Sequence, residues 1–350
     1  MRALKKTKDG APGPDGRKLS DVKAISADEL AGHFNLWLLT GCLPGRLHRG
    51  QTVLLPKCGE AEDPSKYRPI TMSDIVVRCF HRILAQRMEI HLPFSTRQKA
   101  FRAGDGVADS VWFIQAVIKH HQDSLRPLNV TFADVKKAFD SVSHQSMVVA
   151  AAHLGVPPPF LRYIRDLYSN AVTTLRTDPG VSAPISLGRG VRQGDPLSVH
   201  LFNAVIDMCL AGALRVNHGA FVDDMALFAA TPRGLQALAS ELESQLAMCG
   251  LSISSGPRWK SVSMRLDTDG KAKKWVINPL PYLRVAGETV PAISVSQVYR
   301  YLRVDVSPCR TRVNVATMMR DGLASISSAP LEPQQRLYIA TYHLLPKCHH

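Results

Sequence analysis

The sequence predicts an α+β chain. Apolar residues repeat at helical spacing through the N-terminal third, the period shortens to two at Leu128, and two short apolar runs flank Asp223-Asp224. Helix-rich, strand–helix, hairpin and further strand segments follow in an order that suits an antiparallel sheet. It does not suit the regular alternation of a doubly wound nucleotide fold.

Ala11-Pro12-Gly13-Pro14-Asp15-Gly16 is a turn in a loop-like first segment. Ser26 with Glu29 reads as a capping box, after which Leu30, Phe34, Trp37 and Leu38 share a helical face that Gly41 ends. Residues 51–55 and 67–71 read as extended pieces around the polar stretch Lys57–Lys66. Val76, Phe80, Ile83, Leu84 and Met88 mark a helix, and residues 107–120 another. In the strand at Leu128, residues Leu128, Val130, Phe132 and Asp134 share one face, and Asn129, Thr131 and Ala133 the other. Helices are predicted over 144–154 and 160–168, extended chain over 181–187, and a helix through Leu201, Val205 and Met208. A last helix has Thr231 as cap, Pro232 at its first position and Gly250 at its end.

A chain of 350 residues, 45% hydrophobic and 21% charged, has ample material for a core in two or three lobes, which excludes disordered and collagen-like classes. The longest apolar run, Leu201 to Val216, is broken by Asn203 and Asp207, so no spanning helix is expected. The N-terminus lacks the apolar core of a secretory leader. Lys and Arg number 43 against 29 Asp and Glu, a net charge of +14. Such an excess points to a polyanionic partner, nucleic acid, with ordinary solubilising charge as the competing reading. The 7 cysteines are odd in number and include no CxxC pair, which indicates neither a disulfide framework nor a zinc site but an intracellular protein.

The chemistry concentrates in three places. Phe221-Val222-Asp223-Asp224-Met225 reads as a hairpin with an Asp-Asp turn, which supplies positive φ poorly and sets like charges side by side. A divalent cation would compensate, since Mg²⁺ takes carboxylate oxygens; the alternative is a surface hairpin with an acidic tip. Asp134 ends a strand on its apolar face, where an unpaired carboxylate is costly. Together the three aspartates could hold two metals and support in-line phosphoryl transfer. Gly188 to Ser198 is glycine-rich without the GxGxxG spacing; its glycines would admit close backbone approach, with Arg192 and Gln193 available for polar contacts. A plain strand-to-helix turn is the competing reading there.

Phe132-Ala133-Asp134 through Phe139-Asp140 resembles the first palm motif of reverse transcriptases, Gly190–Ser198 the RQGxPLS motif, and Phe221–Asp224 the YxDD hairpin. Thr52–Lys57 and Tyr67–Thr71 resemble two fingers motifs, and Ala11–Gly16 the N-terminal signature of non-LTR retrotransposons, nearest those that insert into ribosomal DNA. The match runs in the family's order over nearly the whole chain.

The resemblance implies a right-hand polymerase fold, with helix-rich fingers, an antiparallel palm sheet and a thumb largely absent. Its divisions would be 1–127 for the N-terminal segment and fingers, 128–310 for the palm with a helical insert at 144–180, and 311–350 for the start of a thumb. The activity implied is RNA-directed DNA polymerisation with an RNA template, a DNA primer, dNTPs and two Mg²⁺ ions (Mn²⁺ as substitute), in the nucleus. Asp134, Asp223 and Asp224 would be metal ligands and Lys260 a general acid toward pyrophosphate. Lys57 and Arg68 would grip the triphosphate, Phe139 would be the steric gate, Gln193 would touch the incoming nucleotide or the template base beside it, and Arg192 would be a further nucleotide-binding residue.

Several positions depart from the family pattern: Phe221 for tyrosine, His200 for proline, Ser254 for asparagine, Arg303 for glycine, and a short connection over 213–220. The Phe221 change keeps the ring and is mild; the short connection, Arg303 and the missing thumb favour the alternative of a polymerase-like protein that only binds nucleic acid. A two-metal nuclease accounts for the aspartates but not for Phe139, Lys57 or Arg68.

Overall fold

The computed structural model describes residues 10–57, 63, 66–100, 105–177, 180–213, 218–254, 260–294, 297, 299–302, 304–306 and 315–344. The first segment holds a short helix, α1 (Leu19–Ala24), where only loop was expected; Leu19 and Val22 are buried, which gives six residues a reason to be helical. Helix α2 (Ala27–Thr40) starts with Ser26 Oγ accepting from Glu29 N and ends at Gly41. It packs through Phe34, stacked 4.9 Å from Phe80 of α3 (Ile75–His91).

Strands β1 (Arg49–Pro56) and β2 (Tyr67–Ser73) form an antiparallel hairpin, and β1 also pairs in parallel with β4 (Val172–Thr177). The segment read as a helical insert thus supplies helices α6 (His144–His153) and α7 (Pro158–Ser169) and also a strand to this mixed sheet. Buried Thr52 ties the three strands, its hydroxyl 2.8 Å from that of Thr71 and 2.7 Å from that of Thr173. No pattern local to one strand encodes that parallel pairing.

The second sheet is antiparallel throughout. In it β3 (Leu128–Asp134) lies between β9 (Val262–Asp269) and β8 (Asp224–Ala229), and β8 pairs with β7 (His218–Phe221). Leu128, Val130 and Phe132 pack with Val111, Ile114 and Ile118 of α4 (Gly106–Asp123), as the period of two requires. The opposite face is polar yet also buried, because α9 (Pro232–Met248) covers it. There Thr131 Oγ1 donates to Val262 O at 3.0 Å, satisfying the hydroxyl without water.

Helix α8 (Pro196–Ala213) is central to the helical layer; Leu197, Leu201, Phe202 and Val205 are fully buried and it packs on α3, α6 and α9. Its entry is held by a buried polar network. Asp195 Oδ1 accepts from Leu197 N at 2.8 Å, and Oδ2 lies 2.5 Å from His81 Nδ1. The other His81 nitrogen is 2.7 Å from the Tyr163 hydroxyl. Burial alone would raise the Asp195 carboxyl, but His81, the Leu197 N–H and nearby Arg192 together hold it below its ordinary value.

Removing one partner strands the other in the core, so His81→Ala should cost about 3–5 kcal/mol. A folded-state carboxyl held low contributes stability that is present at neutral pH and lost as pH falls through its folded value. Urea midpoints should therefore separate wild type from His81→Ala widely at neutral pH and less in acid.

Candidate active site

Strand β3 carries Asp134 to the end of the sheet, where its Cα partner is Asp224. Directly paired residues point to one face with Cβ atoms about 4.5–5.5 Å apart, so the two carboxylates are neighbours by register. The hairpin closes on the pair Phe221 and Asp224, so its turn is Val222-Asp223 and not the expected Asp223-Asp224. The shift has a packing cause. Val222 is 5% exposed, adopts φ +58° and donates its N–H to Gln98 Oε1 at 3.0 Å. A β-branched residue in the left-handed region is strained by on the order of 1–3 kcal/mol and persists only where its surroundings enforce it. Segment 97–99 supplies that enforcement, with Ala220 N donating to Arg97 O at 3.2 Å and Lys99 N to Ala220 O at 3.1 Å.

Three acids meet here. Burial raises the Asp224 carboxyl to about 6, with the charges of Asp223 and Asp134 adding to it. Burial likewise raises Asp223, reinforced by Asp134, and raises Asp134 against the opposing pull of Lys260 and Ser254. Lys260 Nζ lies 3.4 Å from Asp134 Oδ1. Beneath them Tyr301 donates its hydroxyl to Asp224 O at 3.3 Å and Tyr299 to Lys260 O at 3.1 Å. Phe132 stacks 4.6 Å from Tyr299, so the floor of the acid cluster is aromatic.

With Asp223 in the turn, the carboxylates are neighbours without closing on one point; among the described residues no three acidic, His or Cys side chains form a finished metal centre. Their chemistry nonetheless fits a divalent cation: hard oxygen donors whose burial and mutual repulsion a cation relieves.

Lys57 and Arg68 both project from the β1–β2 hairpin and are exposed. Leu55 pairs with Arg68 and Lys57 N donates to Lys66 O at 2.8 Å, which puts Lys57 and Arg68 on one face as diagonal neighbours. The glycine-rich loop joins that hairpin to the segment Phe139–Val142 that follows β3. Thr71 N donates to Gln193 O, while Val191 N donates to Phe139 O at 2.7 Å and Gly190 N to Val142 O at 2.8 Å. A Cβ on Gly190 would stand 2.8 Å from Phe139 O and 2.9 Å from Asp140 O at φ +81°, so only glycine allows this approach. The Phe139 ring rests 4.8 Å from that of Phe202, half-buried.

Arg192 departs from expectation. It is 2% exposed, and its guanidinium donates to His48 O and Ser73 Oγ inside the protein, so it braces the loop and does not face a nucleotide. An arginine in a polar loop reads as exposed; here carbonyl and hydroxyl acceptors recruit it inward. Arg303 and residues 214–217 of the short connection lie outside the described residues, but β7 forms over His218–Phe221 and Asp224 is in register with Asp134.

Gln98 and Tyr299 belong to the site without any mark in their local sequence. Only the odd placement of a valine before Asp223 hints at a clamp.

The acid cluster makes a linked prediction. A carboxyl raised from 3.8 to about 6 binds more protons folded than unfolded, so ion-free stability falls as pH rises through that window. In EDTA, Asp224→Asn should melt above wild type at neutral pH and show a flatter profile. Mg²⁺ should raise the wild-type melting temperature and leave that of Asp224→Asn nearly unchanged.

A model of the reverse transcriptase (RNA-dependent DNA polymerase) family matches residues 55–256. A retrovirus-related Pol polyprotein from the type-1 retrotransposable element R2 of Nasonia vitripennis is 35% identical over 100% of this chain and 34% of its own length. The corresponding polyprotein from the type-2 element R2DM of Drosophila melanogaster is 31% identical, again over 100% of this chain and 34% of its own length. One from Popillia japonica is 32% identical over 99% of this chain and 49% of its own length. The chain therefore spans between a third and a half of these curated relatives. With a family model covering residues 55–256 and the acid cluster in register, this chain belongs to the reverse transcriptase family.

Proposed function

We propose that this chain is a template-directed DNA polymerase that copies RNA, adding dNTPs to a primer 3′-hydroxyl as the reverse-transcribing part of a non-LTR retrotransposon. The observation that carries the reading is the register of Asp134 against Asp224, with Asp223 beside them on a strained and clamped turn. In this reading residues 1–127 are the N-terminal segment and fingers, 128–310 the palm with its insert at 144–180, and 311–350 the beginning of a thumb.

Asp134, Asp223 and Asp224 would hold two Mg²⁺ ions. When bound, the ions supply charge to the attacking and leaving oxygens of an in-line displacement. The chain's own groups do the rest. Lys57 and Arg68 bind the triphosphate, a task for cations projecting from one face of a hairpin. The Phe139 ring excludes a 2′-hydroxyl from the sugar site. Lys260 stands by Asp134 to neutralise the leaving pyrophosphate and give it a proton. The net charge of +14 supports binding to the template–primer backbone.

On an RNA template with a DNA primer, Asp223→Asn should lower extension by on the order of 10²–10³-fold, the scale on which one preorganised electrostatic group acts. Binding of the same duplex should be nearly unchanged; persistent extension would refute the metal assignment. Phe139→Ala should admit ribonucleotides, read as their incorporation relative to dNTPs, and unchanged sugar discrimination would remove the gate. Duplex affinity should fall steeply with added salt as phosphate contacts release counterions.

A further inference from the structure

Gln193 and Asp140 come from motifs 53 positions apart, yet Gln193 Nε2 lies 2.8 Å from Asp140 Oδ1. Their meeting follows from backbone. Val191 N on Phe139 O and Gly190 N on Val142 O sew the two segments together, and glycine at 190 lets them touch. Asp140 is itself placed by a tight turn, its N–H donating to Lys137 O at 2.9 Å, with Lys137 at φ +46°. Neither end of the contact is left to a mobile loop.

A carboxylate can only accept, so the Gln193 atom facing Asp140 must be the NH₂ group. That settles which end of the amide points away: the carbonyl Oε1, a pure acceptor. Phe139, next to Asp140 in sequence, is the residue placed at the incoming sugar under the polymerase reading. We propose that Asp140 is a positioning residue. It holds the Gln193 amide in one orientation so that Oε1 is presented to a hydrogen-bond donor of the incoming nucleotide. This role rests on that reading of the site and adds to it a residue that touches neither metal nor substrate.

The contact is solvent-exposed, so variants there should fold normally, and unchanged melting temperatures would show it. Without the carboxylate the amide is free to rotate, and the loss should appear in nucleotide binding. Asp140→Ala should raise the KM for dNTP roughly tenfold, the effect of about one net hydrogen bond, with kcat kept within about twofold. Asp140→Asn retains an acceptor and should recover most of that loss, whereas Asp140→Leu should not. Gln193→Ala should lose a similar factor, and adding Asp140→Ala to it should cost nothing more. Equal losses from Asp140→Ala in the wild-type and Gln193→Ala backgrounds would overturn the proposal, as would an unchanged KM.

A second readout separates this idea from the polymerase reading: dNTP-dependent retention of a labelled template–primer on the protein, which requires no turnover. If the wild type retains the duplex with the complementary dNTP and Asp140→Ala needs roughly tenfold more dNTP, positioning holds even where no extension occurs. If neither chain responds to dNTP, both ideas fall. If both respond equally, only the role of Asp140 falls.

Discussion

The structure turns on one unfavourable pairing. Antiparallel register sets Asp134 opposite Asp224 at the end of a sheet buried on both faces, where two like charges repel and neither is fully solvated. A one-residue slip of β8 would relieve it only by exchanging the side chains of its two faces, sending each into a core shaped for the other. Met225 and Leu227 on one side and Ala226 and Phe228 on the other anchor the strand in two cores. The hydrophobic register therefore enforces the electrostatic conflict. Lys260 offsets part of it, and a cation would relieve the remainder.

Reading the elements from sequence succeeded where the signal is local. Helices α2, α3, α4, α6, α7, α8 and α9 lie where apolar period and caps place them, because each buries one stripe against a single layer. It failed where the cause is distant. Helix α1 exists because Leu19 and Val22 find a core made by other helices, and the parallel pairing of β1 with β4 is decided by residues 121 apart, as Thr52 and Thr173 show.

The site divides in the same way. Asp134, Asp223, Asp224 and Lys260 sit in short motifs, and the structure gathers them into one cluster, whereas Lys57, Arg68, Phe139 and Gln193 are site residues under the polymerase reading alone. Arg192 was misread because its acceptors, His48 O and Ser73 Oγ, come from a distant segment. The turn was misphased for a related reason: acidic residues look like turn residues, and burial of Val222 overrides that preference.

This last point bears on the short connection before the hairpin. If helix α8 alone positioned β7 through residues 214–217, any shortening would drag Asp223 and Asp224 out of place. The hairpin is instead held from the side, by β3 through six paired residues, by segment 97–99 through Ala220 and Val222, and by the Tyr301 hydroxyl on Asp224 O. Lateral attachment decouples the placement of the aspartates from the length of chain that leads to them. A connection that departs from the family pattern is therefore compatible with an acid cluster in register, and the strain at Val222 is the local cost of fixing the hairpin from its flank and not from its root.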